Sequence, residues 1–128
     1  MEVLGKLYGK NISILIDIGA TEIFINPKIL SRFPKRTGYM GKPWTVEYAN
    51  QTKARVEQCL FEAELELPRW STKVNLYVAP LGSYDVILGI NWLWQHKAKV
   101  DCFTKQVECI DDHNKPVIIQ GIRRDLKL

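Results

Sequence analysis

A chain of 128 residues and 14.8 kDa has the size of one compact domain, and 46% hydrophobic with 25% charged residues excludes a disordered or low-complexity chain. No apolar run approaches the ~20 residues of a membrane helix, and residues 1–6 hold no charged segment leading into a signal-type apolar stretch. Neither secretion nor membrane insertion is therefore expected of this piece, whether it stands alone or was cut from a longer chain. The net charge of +4 permits an acidic partner without requiring one. Arg32, Lys35 and Arg36, and again Arg123, Arg124 and Lys127, lack the interleaved aromatics of a nucleic-acid platform and read as solvated loop and tail. Cys59, Cys102 and Cys109 cannot all pair within one chain, and with His113 they match no zinc spacing, so free, mostly buried thiols in a reducing compartment are expected.

In chain order, residues 4–8 and 12–16 predict a hairpin around Gly9-Lys10-Asn11, and the unbroken Ile14-Leu15-Ile16 predicts a strand buried on both faces. Residues 22–26 read as a short strand, and Pro27 with Asn26 as its cap predicts a helical turn or two through Phe33. Residues 34–42, with Pro, Gly and the basic residues Lys35, Arg36 and Lys42, predict an exposed loop. Residues 44–49 and 54–67 predict hairpin arms around Asn50-Gln51-Thr52-Lys53, the second with Leu60, Ala63, Leu65 and Leu67 against a solvated face of Glu62, Glu64 and Glu66. After the Pro68-Arg69 turn come strands at 72–78 and 84–88. A helix follows from Trp92 to about His96 with Asn91 as cap, then short strands at 99–101, 106–110 and 117–120. Many closely spaced short strands with one real helix mean an all-β domain, closed or nearly so, over residues 1–120, with 121–128 as a tail or linker.

One segment departs from packing logic, although alone it also reads as a plain turn aspartate, and a second, alone an ordinary strand-to-helix connection, bears on it. The apolar strand runs straight into Asp17-Ile18-Gly19-Ala20-Thr21, which puts a carboxylate at the edge of a core, where burial must be compensated. Gly19 permits a sharp turn there and Ala20 keeps the neighbourhood uncrowded. Downstream, Tyr84-Asp85-Val86-Ile87-Leu88-Gly89-Ile90-Asn91-Trp92-Leu93 is an apolar strand end feeding a helix, and Ile87, Leu88 and Gly89 can support the acidic loop from beneath.

Together and in this order, the two segments resemble the retropepsin-like aspartic proteases, most closely those of gypsy-type retrotransposon and related polyproteins. Asp17, Gly19 and Ala20 match that family's acidic loop, Tyr84 to Leu93 its later strand-helix motif, and the likeness spans roughly residues 4–119. The resemblance implies a small closed barrel-like acid-protease fold working as a homodimer. It implies an aspartic endopeptidase that acts on extended peptide segments of a polyprotein, in the cytoplasm or within virus-like particles, with no metal, cofactor, membrane or nucleic acid. The chemistry supports the dimer separately. Peptide hydrolysis by carboxylates needs an acid and a base sharing one water, and this chain has a single Asp-x-Gly. A two-fold dimer supplies Asp17 twice, as general base in one protomer and general acid in the other. By resemblance the hairpin at Tyr48, Ala49, Asn50 and Gln51 is a flap over the substrate, although Asn50-Gln51 stands where the family often has Asn-Gly.

The larger departure is Ile18, where the family carries a Thr or Ser whose hydroxyl braces the two loops across the dimer axis. Isoleucine makes no such bond, leaving groups unpaired at ~1–3 kcal/mol each. Three consequences stay open: an active enzyme with a weaker dimer, a degenerate domain that binds peptide or dimerises without cutting, or a change that suppresses self-cleavage. Asp111-Asp112-His113 reads as a turn rather than a metal site. Trp92 is expected in the core beneath the acidic loop, and Trp44 or Trp94 at a substrate pocket or dimer contact.

Overall fold

Alternation decides the longest strand. In a computed structural model that describes residues 1–33, 37–47 and 51–122, Leu60, Ala63, Leu65 and Leu67 point into the core from β5 (Lys53–Leu67), while Glu62, Glu64 and Glu66 face solvent. A register shift between Leu60 and Ala63, with Glu62 at φ +51°, corrects the phase where two buried residues stand side by side.

Around β5 stand β1 (Glu2–Leu7), β2 (Lys10–Ile16), β3 (Ile23–Ile25), β4 (Gly38–Glu47), β6 (Trp70–Val78) and β7 (Val86–Leu88). They form one sheet in the order β1-β2-β7-β3-β6-β5-β4. Because β1 also pairs with β5, Lys6 opposite Glu66 and Leu7 opposite Leu65, six of these strands close into a barrel and β4 extends outward from β5. A helix α1 (Ile90–Gln95) follows β7, and β8 (Lys99–Asp101), β9 (Gln106–Ile110) and β10 (Pro116–Gln120) form a separate antiparallel sheet. The fold is all-β, as the strand spacing predicts.

The barrel encloses Val3, Leu7, Ile14, Leu65, Leu76, Val86 and Leu88, joined by Val107 and Ile119 from the second sheet. Trp92 is fully buried, as expected; its ring stacks on Trp70 with centroids 6.1 Å apart and lies 4.7 Å from His96. Ile14 and Ile16 are buried and Leu15 is half-buried, so β2 has one core face and one thinly covered face rather than two core faces.

Asn26 caps the 3-10 turn Pro27–Arg32 as expected, accepting from the Lys28 N–H at 3.1 Å. Its amide nitrogen also donates to the carbonyls of Gly82 and Tyr84, each at 3.1 Å, and the residue is buried. Asn26→Ala removes the cap and strands two partly buried carbonyls, so a loss of ~2 kcal/mol is expected in urea unfolding.

Four expectations are corrected. The β1–β2 turn is Tyr8-Gly9, both at positive φ (47° and 79°), one residue earlier than predicted. Residues 38–42 are strand rather than loop: Gly38 and Tyr39 pair with Cys59 and Gln58, and Pro43, which has no N–H to give, falls within the register shift between Tyr39 and Trp44. Strand β7 starts at Val86, because Tyr84 and Asp85 spend their backbone groups on other partners. Helix α1 starts at Ile90 behind Gly89, not at Trp92 behind Asn91.

Cys59 and Cys109 are buried and Cys102 is exposed. Burial pushes both buried thiols up to about 11, with the Asp111 carboxylate adding to the effect at Cys109. Folded, they keep protons that the unfolded chain loses above its ordinary thiol value of 9.0. Stability is therefore expected to be unaffected by these groups below about pH 9 and to fall as pH rises towards about 11. At about pH 8, a thiol reagent should label Cys102 alone in the native chain and all three cysteines in denaturant.

Candidate active site

The site begins with where β7 lies. It pairs parallel to β2, Ile14 opposite Val86 and Ile16 opposite Leu88, and antiparallel to β3, Ile23 opposite Leu88 and Ile25 opposite Val86. The chain that leaves β2 must therefore pass over the end of β7 to re-enter the sheet as β3. That crossing is the Asp17-Ile18-Gly19-Ala20-Thr21 loop.

Each end of the crossing is tied down. At its start the Asp17 N–H donates to the Leu88 carbonyl at 3.1 Å, and the Ala20 N–H returns to the Asp17 carbonyl at 3.3 Å. The Asp17 carboxylate accepts the Gly19 N–H through Oδ1 at 2.8 Å, which fixes the side chain's rotation. A Cβ on Gly19 would sit 3.1 Å from that oxygen, so a side chain there crowds the carboxylate. Asp17 is half-buried, Ala20 likewise, and Ile18, Gly19 and Thr21 are exposed.

From below, Gly89 carries the chain against the loop into α1. A Cβ here would overlap the Glu22 carbonyl oxygen and lie 2.6 Å from that of Ala20. Beyond it, Ile90 N–H donates to the Ala20 carbonyl at 2.7 Å and Asn91 N–H to that of Thr21 at 2.9 Å. These bonds explain the corrected helix start: the loop's own carbonyls satisfy the first helical donors, and no side-chain cap is used. Leu88 and Gly89 thus meet the loop directly, and Ile87 lies one residue further back on β7. Deeper in the motif, Asp85 Oδ2 accepts the Ser13 N–H at 2.9 Å while the Asp85 N–H donates to Ser13 Oγ at 3.2 Å, clamping the base of β2 to the approach of β7.

Of the expected flap, Tyr48, Ala49 and Asn50 lie outside the described residues. Gln51 is exposed at φ +69°, beside the last β4–β5 pairs, Val46 with Ala54 and Glu47 with Lys53. The hairpin's base packs into a second apolar cluster, in which Trp44 meets Tyr77 edge-on at 5.4 Å and Phe24 at 6.1 Å. Ala20 of the loop and Ile87 of β7 join the same cluster, so hairpin and acidic loop share one wall. Sequence reasoning named Trp44 but missed Phe24 and Tyr77. The signal at Tyr77 was its phase: Thr72, Val74 and Leu76 face the core, which places an aromatic ring on the face shared with exposed Lys73 and Asn75. Burial, the Glu22 carboxylate and Cys59, in that order, raise the Tyr77 phenol above its ordinary value.

The remaining candidates lie in the turn after β9 and on α1. Asp111 Oδ1 accepts the N–H groups of His113 and Lys115 at 2.8 and 2.9 Å, a turn as expected, and the Lys115 bond leads in holding its carboxyl below the usual range. No cluster of three or more potential metal ligands occurs among the described residues. Trp92 contacts Trp70 and His96, and Trp94 is exposed on α1.

A retroviral aspartyl protease family model matches residues 4–115. Among solved structures, the retroviral protease-like domain of Ddi1 from Leishmania major superposes with a TM-score of 0.66 at 14% identity, over 96% of this chain and 94% of that one. That likeness is one of fold. None of the curated proteins compared matches. With the family model spanning both the acidic loop and its supporting strand and helix, the chain belongs to the retroviral aspartyl protease family.

Proposed function

We propose that the chain is a homodimeric aspartic endopeptidase that cleaves extended segments of a retroelement Gag-Pol-type polyprotein, with one Asp17 from each protomer flanking a shared water. The observation that carries this reading is the Asp17 loop itself: a carboxylate oriented by the Gly19 N–H, on a crossing held from beneath by Gly89 and α1. The chain contains one Asp-x-Gly, so the second carboxylate must come from a second copy. In such a pair the ionised carboxylate removes a proton from water, whose oxygen attacks the peptide carbonyl carbon, while the protonated partner delivers its proton to the carbonyl oxygen. The tetrahedral intermediate then collapses: the C–N bond breaks, the nitrogen takes up a proton, and a carboxylic acid and an amine are released.

Domain bounds of 1–120, with 121–128 as tail, belong to the proposal, although Gly121 and Ile122 still bond back to Lys105 and Glu2 and residues 123–128 lie outside the described residues. So do the flap role of residues 48–51, closing over the peptide from the wall of Trp44, Tyr77 and Phe24, and a location in the cytoplasm or in virus-like particles. Exposed Ile18 favours one other reading, a module that grips peptide or dimerises without cutting.

The test is hydrolysis of an unstructured, polyprotein-like peptide by the native chain, from about pH 4 to about pH 7. Cleavage with a rate rising faster than linearly in protein concentration supports the shared site. Silence at high concentration from both the native chain and Ile18→Thr moves the assignment to the binding module.

A further inference from the structure

The chain carries a net charge of +4, yet one of its clefts is acidic. Where β5 and β6 meet the end of α1 and the β9–β10 turn, an open cleft of about 740 Å³ is lined by Glu64, Glu66, Asp111 and Asp112. Lys73 is the only lysine or arginine among its lining residues. It stands opposite Glu64 in the β5–β6 register, but among the described residues the ion-pair contact in the cleft is that of His96 with Asp112.

His96 is the unusual member. It closes α1 as its C-cap, is 4% exposed, and still lines the cleft. The rings of Trp92 and Trp70, with centroids 4.7 and 5.9 Å away, hold it in place. Its Nδ1 lies 2.8 Å from the Ile110 carbonyl, an acceptor, so that nitrogen carries the ring hydrogen. On the neutral ring Nε2 is then a bare lone pair. It stands 4.0 Å from Asp112 Oδ1, beyond hydrogen-bond reach, and has no other polar partner among the described residues. Two acceptors that face each other cannot satisfy each other, and a buried one asks for a donor.

We infer that this cleft binds an extended peptide segment with arginines at alternate positions, and that His96 Nε2 and the Asp112 carboxylate accept from one guanidinium. Every unfilled valence named above is an acceptor, so the ligand must donate only. A metal ion is set aside, because no three potential ligands are grouped to hold one among the described residues. A guanidinium carries five N–H groups in a flat fork and no acceptor, and can donate to two residues at once. An ammonium is a compact, strongly hydrated point charge and suits two separated acceptors less well. The strand supplies the reason for a peptide. Glu64 and Glu66 lie two residues apart on one face of β5, about 7 Å from each other, and alternate side chains of an extended peptide repeat at the same distance. The assignment holds whether or not the chain cuts peptide.

The test is titration calorimetry of the full chain with the capped peptide Gly-Arg-Gly-Arg-Gly, at about pH 8, above the ordinary histidine value, and about 50 mM salt. One-to-one binding is expected. Lysine in place of both arginines should weaken it ~5-fold or more, and free arginine should bind ~10-fold or more weakly than the peptide. Glu66→Gln combined with Asp112→Asn changes two exposed side chains without altering their shape and should cost ~10-fold or more in affinity. Glu108→Gln removes an exposed carboxylate from outside the cleft and should leave affinity within about twofold. In nitrogen NMR spectra the Nε2 signal of His96 should move on saturation as it gains a donor. The chain has two histidines, and His113→Gln identifies which ring is which. Absence of binding, equal affinity for the lysine peptide or for free arginine, no loss in the Glu66/Asp112 double variant, an equal loss in Glu108→Gln, or an unmoved Nε2 overturns the inference.

Discussion

An Asp17→Asn chain is expected to lose peptide hydrolysis by ~10⁴-fold or more while unfolding in urea within about 0.5 kcal/mol of the native chain. The two parts of that result come from different properties of one side chain. Asparagine keeps the shape and an oxygen that accepts the Gly19 N–H, so the loop bond at 2.8 Å survives. It cannot take a proton from water or give one to a carbonyl, and in a symmetric dimer the change removes acid and base together. A mixing experiment makes the sharing visible. Adding the variant to a constant amount of native chain should suppress activity, because at a ninefold excess only about one dimer in a hundred pairs two native chains. Undiminished activity in that titration would rule out a site built from two protomers.

Gly89→Ala is the second large effect. The added methyl overlaps the Glu22 carbonyl oxygen and lies 2.6 Å from that of Ala20, and both obstacles are backbone. Neither can swing aside as a long side chain would, so α1 and the acidic loop must separate, breaking the Ile90–Ala20 and Asn91–Thr21 hydrogen bonds. A loss of about 3 kcal/mol or more is expected, together with loss of hydrolysis even where the chain remains folded. Gly41→Ala is the matched comparison, since a Cβ there meets nothing within 4 Å. Equal urea midpoints for the two variants would show that the loop does not depend on its floor.

Much of this architecture was legible in the residues. The alternation along β5 reads directly as one face in and one face out, and the Pro27 turn with its Asn26 cap follows from local chemistry alone. The pairing of Asp17-Ile18-Gly19-Ala20 with Tyr84 to Leu93 was legible only through its resemblance to the aspartic-protease motifs, since either segment alone reads as an ordinary turn or strand-to-helix connection. What escaped depends on partners distant in sequence. Gly38 and Tyr39 look like loop until Cys59 and Gln58 lie beside them, and no periodicity in residues 34–42 announces that pairing. Asn91 is a reasonable cap by composition, yet Ala20 and Thr21 supply the acceptors from 70 residues upstream, so the helix starts earlier. That Ile18 shares a cleft with Ile90, Leu93 and Trp94 of α1 is likewise visible only in three dimensions.

The placement of β7 between β2 and β3 also sets a schedule. Ser13 and Asp85, the clamp at the foot of that arrangement, are 72 residues apart in the chain. At a synthesis rate of about 5–20 residues per second, roughly 4 to 14 seconds pass between making one and making the other. For nearly all of that interval a growing chain carries its aspartate without β7, whose Leu88 carbonyl receives the Asp17 N–H, and without Gly89 beneath it. Any shorter product ending before residue 89 is in the same condition permanently. The carboxylate is thus among the first groups to be made and among the last to be put in place, and the interval is written into the order of the strands.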